Sequence, residues 1–467
     1  MKIIHIKTII LFILSPLAIA ALLSIGSSAE NKITIGPRTV KATPLEKGQI
    51  FASTTASSKN KRCTERQPCT LENAIIMLNE NKESKNILFL RGGLYKLNEI
   101  IKNRKFINDT TADTKLIKCK KRCKECPQGY KKDKHLKIKR SGTALHPIII
   151  ESYPNEWAVL DGGNASADDI KNEKSMVAMG FEINRDIKEL KNISFVYIRR
   201  LEIKGVRTYG VRIRGDHNKV EGCHIHHNFL EGISIAPKNF QELHTQTSFN
   251  IILDNKIFNN SDAELGCKEG PYDYDQGEHA DGISITAGEH NVIAHNEVYA
   301  NADDGIDTFQ SNYSKVQYNL IYHNGHGLKG NGNGVKTGGC NLQAEEKNKC
   351  HHLEMGLETL TSHNIAYENK KSGFASNSGT NPIFKFNTAY KNGKYGFHVD
   401  EKSLLESNIA YENKLPPKKI LPAMHKDNSW QKKNENSIDF ASVIPASANF
   451  LRLKNSAVDL GAYSQEK

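Results

Sequence analysis

Apolar residues in this chain come in short runs set off by polar corners, and over most of its length no stripe of helical period is sustained. From about residue 190 the corners repeat. Asn255, Asn296, Asn319, Asn364, Asn387 and Asn408 are each followed five positions later by another asparagine: Asn260, Asn301, Asn324, Asn369, Asn392 and Asn413. A few apolar residues lie between, as in Asn319-Leu-Ile-Tyr-His-Asn324, which reads as a short strand between two corners. The second members of these pairs stand 41, 23, 45, 23 and 21 residues apart, a unit of about 22 that is sometimes doubled. Several short strands per unit of that length predict a solenoid, in which no coil buries its apolar face without its neighbours. Leucine does not recur and no helical half-repeat is present, which argues against a leucine-rich horseshoe. The expected class is all-β: a parallel β-helix with Ile, Val, Ala and Phe turned inward, asparagines bonding coil to coil, and function on long turns at one face.

The ends of the chain read differently. Leu71, Ala74, Ile75, Ile76 and Leu78 predict one short amphipathic helix, and Asn86 to Leu90 a strand ending at Gly92-Gly93, together a cap for the solenoid. Residues 30–60 are polar and aperiodic, a leader before a single domain over 61–467. Between about 103 and 140 charge density rises and periodicity vanishes, which reads as a Cys/Lys-rich surface insertion before a strand at Pro147–Ser152. Past Lys414 a Pro- and Lys-rich tail leads to Phe450-Leu-Arg-Leu and Ala457-Val-Asp-Leu-Gly, expected to close the open end.

Composition then sets the compartment. Lys2 and Lys7 precede an apolar run from Ile9 to Ile25, broken by Pro16, and Ser27-Ser28-Ala29 offers small residues for cleavage, so residues 1–29 read as a secretory signal peptide and the chain as secreted. No later segment is long and apolar enough to span a bilayer, so no stable membrane insertion is expected after cleavage. The formal net charge is +12, attractive to polyanions. Export favours an acidic polysaccharide over nucleic acid as partner, and the chain is read as a monomer. Nine cysteines in an exported chain suggest disulfides, with Cys63–Cys69 and Cys340–Cys350 the local candidates and an odd one left over. Cys119, Cys123 and Cys126 lack a partner histidine at finger spacing, so a cross-linked insertion is preferred to a zinc site.

Two segments carry candidate chemistry. Asp303, Asp304 and Asp307 crowd one turn, and Asp281 lies 22 residues before Asp303, one coil away. Stacked coils would bring four carboxylates to one outward point, where hard oxygen donors suit calcium; a solvated acidic turn is the plainer alternative. Gly330-Asn-Gly-Asn-Gly-Val-Lys336-Thr-Gly-Gly339 then presents one lysine among alternating glycines, 29 residues after Asp307, or one coil and a small loop. Lysine serves as a general base only where burial or neighbouring positive charge lowers its pKa.

The Asp-Asp-Gly-x-Asp turn followed by this glycine-flanked lysine resembles the ninth family of polysaccharide lyases, best known for pectate lyases. The resemblance implies a right-handed parallel β-helix, calcium held by Asp281, Asp303, Asp304 and Asp307, and Lys336 as the Brønsted base of a β-elimination on a uronic-acid-containing glycan. Close motif similarity is confined to about residues 279–339, and Val335 and Thr337 depart from the Phe and Leu of the family pattern beside the base. Lys329, Arg212 and Arg214 are candidates to hold further substrate carboxylates. Three other functions stay open: a polygalacturonase-like hydrolase, suggested by Asp281, Asp303-Asp304 and Gly325-His326-Gly327; a uronate C5-epimerase, which begins with the same proton abstraction; and a non-catalytic glycan-binding solenoid.

Overall fold

The repeats build three parallel sheets of twelve, ten and ten strands, in which each coil adds one strand to each sheet. The computed structural model describes residues 33–80, 86–100, 134–163, 177–183, 192–206, 208–237, 247–262, 277–339, 356–377, 381–399, 402–416, 418–419, 424–431, 438–455 and 459–464. The expected signal peptide, most of the Cys/Lys-rich insertion, and Cys340 with Cys350 lie outside them. The first sheet runs from Ile50–Ala52 to Met424–Lys426, the second from Lys134–Ile138 to Lys418–Lys419, and the third from Gly93–Lys96 to Ile409–Tyr411. Strand pairing is parallel and in register throughout the central coils. Ile235 of the second sheet therefore pairs with Ile285, and Val220 of the first with Ile252, and all four are fully buried in the barrel.

The asparagines lock the corners. Along one edge Asn255, Asn296, Asn319, Asn364, Asn387, Asn408 and Asn428 form a continuous ladder, each Nδ2 donating to the next Oδ1 at 2.9–3.0 Å. A second ladder runs from Asn228 through Asn260, Asn301, Asn324, Asn369 and Asn392 to Asn413. A third, shorter one joins Asn218, Asn250 and Asn291 and ends on Ser314. Each oxygen also accepts the backbone N–H of the preceding asparagine, so a buried corner is left with few unpaired polar groups. The residue before each first-ladder asparagine takes a left-handed turn, as His295, Tyr318, His363 and Phe386 do at φ between 51° and 57°. Their rings stack at 4.9–5.1 Å, which offsets the cost of that backbone.

The predicted helix spans Leu71–Glu80, opens on Thr70, whose hydroxyl accepts the Asn73 N–H, and buries Leu71, Ala74, Ile75 and Leu78. The strand expected at 86–90 is Ile87–Leu90, and that at 147–152 is Ile148–Ser152. Cys63 and Cys69 form a disulfide.

Three stretches at the ends differ from the sequence reading. The stretch read as a leader supplies Ile50–Ala52, whose three residues pair with Leu88, Phe89 and Leu90. Upstream of it an extended segment is tied along the barrel by Gly36 N–H to Tyr318 O, a bidentate Arg38–Asp254 pair and Thr43 N–H to Glu151. A polar strap bonded to corners has no apolar period, so pattern alone could not reveal it. The last residues of the predicted insertion, Lys134–Ile138, are a strand paired with Val177–Ile183. At the other end the coils continue past Lys414 to Met424–Lys426 and Asn428. Phe440, Phe450, Leu451 and Leu460 pack on the outer face of the third sheet against Tyr367, Tyr390 and Ile409, while Trp430 packs on the last core layer.

Candidate active site and metal centre

From Val211–Ile213 to Phe397–Val399 each strand of the second sheet is preceded directly by a glycine, and that glycine sets the site. A Cβ on Gly305 would lie 2.4 Å from Ile321 and 2.7 Å from the carbonyl of Gly334, and one on Gly282 would lie 2.7 Å from the carbonyl of Gly305. Only glycine lets successive turns approach so closely, and the residue before each glycine is thereby stacked on its equivalent. That column reads Glu231, Asp281, Asp304 and Asn333. Three residues further along, strand register stacks Arg212, Ser234, Ser284, Asp307, Lys336, Ala375 and His398 in one outward row. Asp307 pairs directly with Lys336, so the 29-residue interval is one coil plus the glycine-rich turn.

Column and row meet at the acidic cluster. One oxygen each from Asp281, Asp303 and Asp304 lie within 4.8 Å of one another, all three residues buried. Asp281 accepts the Asp304 N–H at 3.0 Å, Asp304 accepts the Asn333 N–H and side-chain amide at 2.6 and 3.0 Å, and Asp303 accepts the Asn331 N–H. Lys336 Nζ donates to Asp304 at 3.1 Å and to Asp307 at 2.6 Å, while the other oxygen of Asp307 is buried with no hydrogen-bond partner. Burial, and then Asp304, push the Asp303 carboxyl up to about 9. Burial and the other aspartates raise Asp281 well above the carboxylate range, and burial raises Asp307 against the pull of Lys336. One ammonium among four carboxyls leaves the set short of positive charge. An all-oxygen donor set, an orphaned buried oxygen and mutual repulsion together fit a hard divalent cation such as calcium.

Burial lowers the Lys336 ammonium, but Asp307, Asp304 and Asp281 outweigh it and hold the pKa well above the ordinary lysine value. Positive charge among those carboxyls would cancel that hold and leave the effect of burial. Val335 and Thr337 are fully buried on the opposite side of the strand. Their departure from the family pattern therefore falls on the core beneath Lys336 and not on the outward side of the strand.

Other predicted residues are placed as follows. Arg212 lies in the row of Lys336, four rungs away, stacked over Tyr209 at 4.3 Å and donating to Ser234 at 2.5 Å. Arg214 is only 8 % exposed, a consequence of its seat in the barrel wall, and Lys329 is exposed on the glycine-rich turn. His326 bonds Ser261 at 3.1 Å. Glu231, not singled out from the sequence, stands one turn below Asp281; burial, opposed by Arg212, pushes it up to about 7. Also unforeseen are two lysines that fasten the glycine-rich turn: Lys370 Nζ donates to the carbonyls of Gly327, Leu328 and Gly330, and Lys371 to Asn331. Their one sequence signal is their position, directly after the ladder residue Asn369.

Comparison with known proteins agrees with this architecture. The family model described as "Pel9A-like, right handed beta helix region" matches residues 50–414. Pectate lyase L of Paenibacillus polymyxa (strain SC2) is 25% identical over 334 residues, 63% of this chain and 68% of that protein. Pectate lyase PEL9 of Emericella nidulans is 25% identical over 332 residues, 64% of this chain and 73% of the relative. Among solved structures, pectate lyase Pel9A superposes with a TM-score of 0.63 at 19% identity, covering 90% of this chain and 96% of that one. A rhamnogalacturonan lyase gives a TM-score of 0.62 at 17% identity, covering 89% and 100%.

Proposed function

The chain is a polysaccharide lyase of the Pel9A-like right-handed β-helix family, and on that premise we propose that it is a secreted, calcium-dependent enzyme that cleaves a polyuronate by β-elimination with Lys336 as base. The observation that carries this reading is the convergence of the Lys336 amine, 2.6 Å from Asp307 and 3.1 Å from Asp304, with the aspartate cluster where column and row meet. Asp281, Asp303, Asp304 and Asp307 would hold the calcium, whose chemistry is to bind a uronate carboxylate and withdraw charge as the C5 proton is removed. Lys336 takes that proton on Nζ. The electron pair left behind forms the C4–C5 double bond, the C4–oxygen bond breaks, and the departing oxygen takes a proton from solvent. Asn331 and Asn333 fix the aspartates through their N–H groups, and Lys370 and Lys371 keep the turn that carries them in place. Secretion rests on the Lys2–Ala29 pattern, and among the described residues no helix is long and apolar enough to cross a membrane.

A hydrolase would need two carboxyls set about 5–5.5 Å or 6.5–9.5 Å apart, one to protonate and one to attack or activate water. Carboxylate oxygens within 4.8 Å of one another, with an ammonium among them, favour shared cation binding instead. The test is to incubate the full chain with several polyuronates, with and without chelator, and to follow the ultraviolet absorbance of the unsaturated product. Absorbance that vanishes in chelator is expected. New reducing ends without absorbance would select the hydrolase, and altered uronate stereochemistry without either would select the epimerase.

A further inference from the structure

A second set of ligand atoms converges on the third sheet, a different sheet from the one that carries Lys336. Strand register there stacks Glu202 beside His224 in one outward row and Lys204, His226 and Phe258 in the next. His226 ends its strand, and His227 follows at the corner with a left-handed backbone, φ 53°. The reversal brings the two Nδ1 atoms face to face at 2.6 Å. His226 is held on either side of that contact. Phe258 stacks on its ring at 4.5 Å, its Nε2 lies 3.3 Å from Glu202, and the other oxygen of Glu202 accepts the Trp157 indole N–H at 3.1 Å. A carboxylate beside Nε2 places the ring proton there and leaves Nδ1 a lone pair directed at His227.

From this geometry we propose that His226 and His227 chelate a divalent transition metal through their Nδ1 atoms, with Glu202 orienting the first ring and water completing the coordination. A histidine ligand whose other nitrogen donates to a carboxylate is the common support of such a metal. Metal–nitrogen bonds of about 2.0–2.1 Å set two neighbouring ligand nitrogens about 3 Å apart, so the rings need to part only slightly. Two imidazole nitrogens select zinc, nickel or copper over calcium, the reverse of the all-oxygen aspartate set. His227 is exposed, so the open side of the pair faces solvent. Burial, and then His227, lower His226 to about 4, while burial and Lys204 lower His227; both rings are therefore neutral near pH 7 and keep the lone pairs a metal takes. Lys204 Nζ lies 3.8 Å from Glu202, whose charge offsets the repulsion between that ammonium and a cation. The proposal does not depend on the lyase reading, because these residues stand on another sheet.

Calorimetric titration of the full chain with nickel(II), in excess calcium, tests this on the unaltered protein and on His226→Phe and His227→Asn. Both replacements reproduce what the next rung already carries, Phe258 on the strand and Asn259 at a corner of the same left-handed form, so the fold accommodates them. Each variant is expected to lose one equivalent of bound nickel or to hold it at least about tenfold more weakly, because a chelate reduced to one nitrogen forfeits the second bond. The rise in Tm that nickel produces should shrink in the same two variants. Nickel held by other histidines or cysteines of the chain would be seen equally in all three proteins and so cancels from the comparison. Identical nickel isotherms in all three would overturn the proposal and leave the 2.6 Å contact as a hydrogen bond between two rings. A loss in one variant with the other unaltered would overturn it as well, since a chelate needs both nitrogens.

Discussion

At the scale of single residues, the site is a set of charges out of balance. Asp303 is pushed up to about 9 by burial and Asp304, and Asp281 and Asp307 are raised in the same sense. A carboxyl whose folded pKa exceeds its unfolded value, about 3.9, binds more protons when folded. Its stabilising contribution is complete below that unfolded value and is lost as pH rises through the folded one. Cation-free protein should therefore lose stability from about pH 4 to about pH 9, and calcium, which takes the place of those protons, should restore it. The calcium-induced rise in Tm is predicted to be larger at about pH 8 than at about pH 5. A calcium effect of equal size at both values, read by scanning calorimetry, would show that these aspartates are not the ligands. The sequence made these four acids visible because Asp281 lies about one coil before the Asp303–Asp307 turn, its stacked equivalent being Asp304, but it hid Glu231, which lies 50 residues before Asp281 and so breaks the count.

At the scale of the element, ladders and glycines decide which side chains meet. Asn364 is fully buried; its amide donates to Asn387, to Val316 O and to Ser362 O, and its oxygen accepts two bonds from Asn319. Asn364→Ala would leave these groups unpaired inside the barrel and should cost about 2–4 kcal/mol, lowering Tm by several degrees. Asn413→Ala, at the half-buried end of its ladder, should cost under about 1 kcal/mol by the same scan. Two of the three ladders were legible from the spacing of Asn pairs, because stacked corners need the same residue at each turn. The third was less so, since Ser314 replaces asparagine and its members are few. The polar strap over residues 34–49, the Lys134–Ile138 strand and the fastening of the glycine-rich turn by Lys370 and Lys371 depend on contacts between distant segments, and local pattern carries no trace of them. The inward facing of Val335 and Thr337 could have been read from strand alternation around Lys336, since side chains two apart share a face.

At the scale of the whole molecule, a barrel of stacked coils turns a one-dimensional spacing into a linear surface. Residues spread from Arg212 to His398 in the chain become a single row, with Lys336 and Asp307 near its middle. A formal charge of +12 attracts polyanions to the chain in general. In the proposed mechanism one amine does the proton transfer, at a site whose cation binding does not depend on it. The direct test is Lys336→Ala, assayed for unsaturated product on a polyuronate and, in parallel, for calcium binding by calorimetry. Turnover is predicted to fall by about 10³-fold or more while calcium binds at least as tightly, the competing ammonium being gone. A Lys336→Ala enzyme that still forms unsaturated product at a comparable rate would contradict the account.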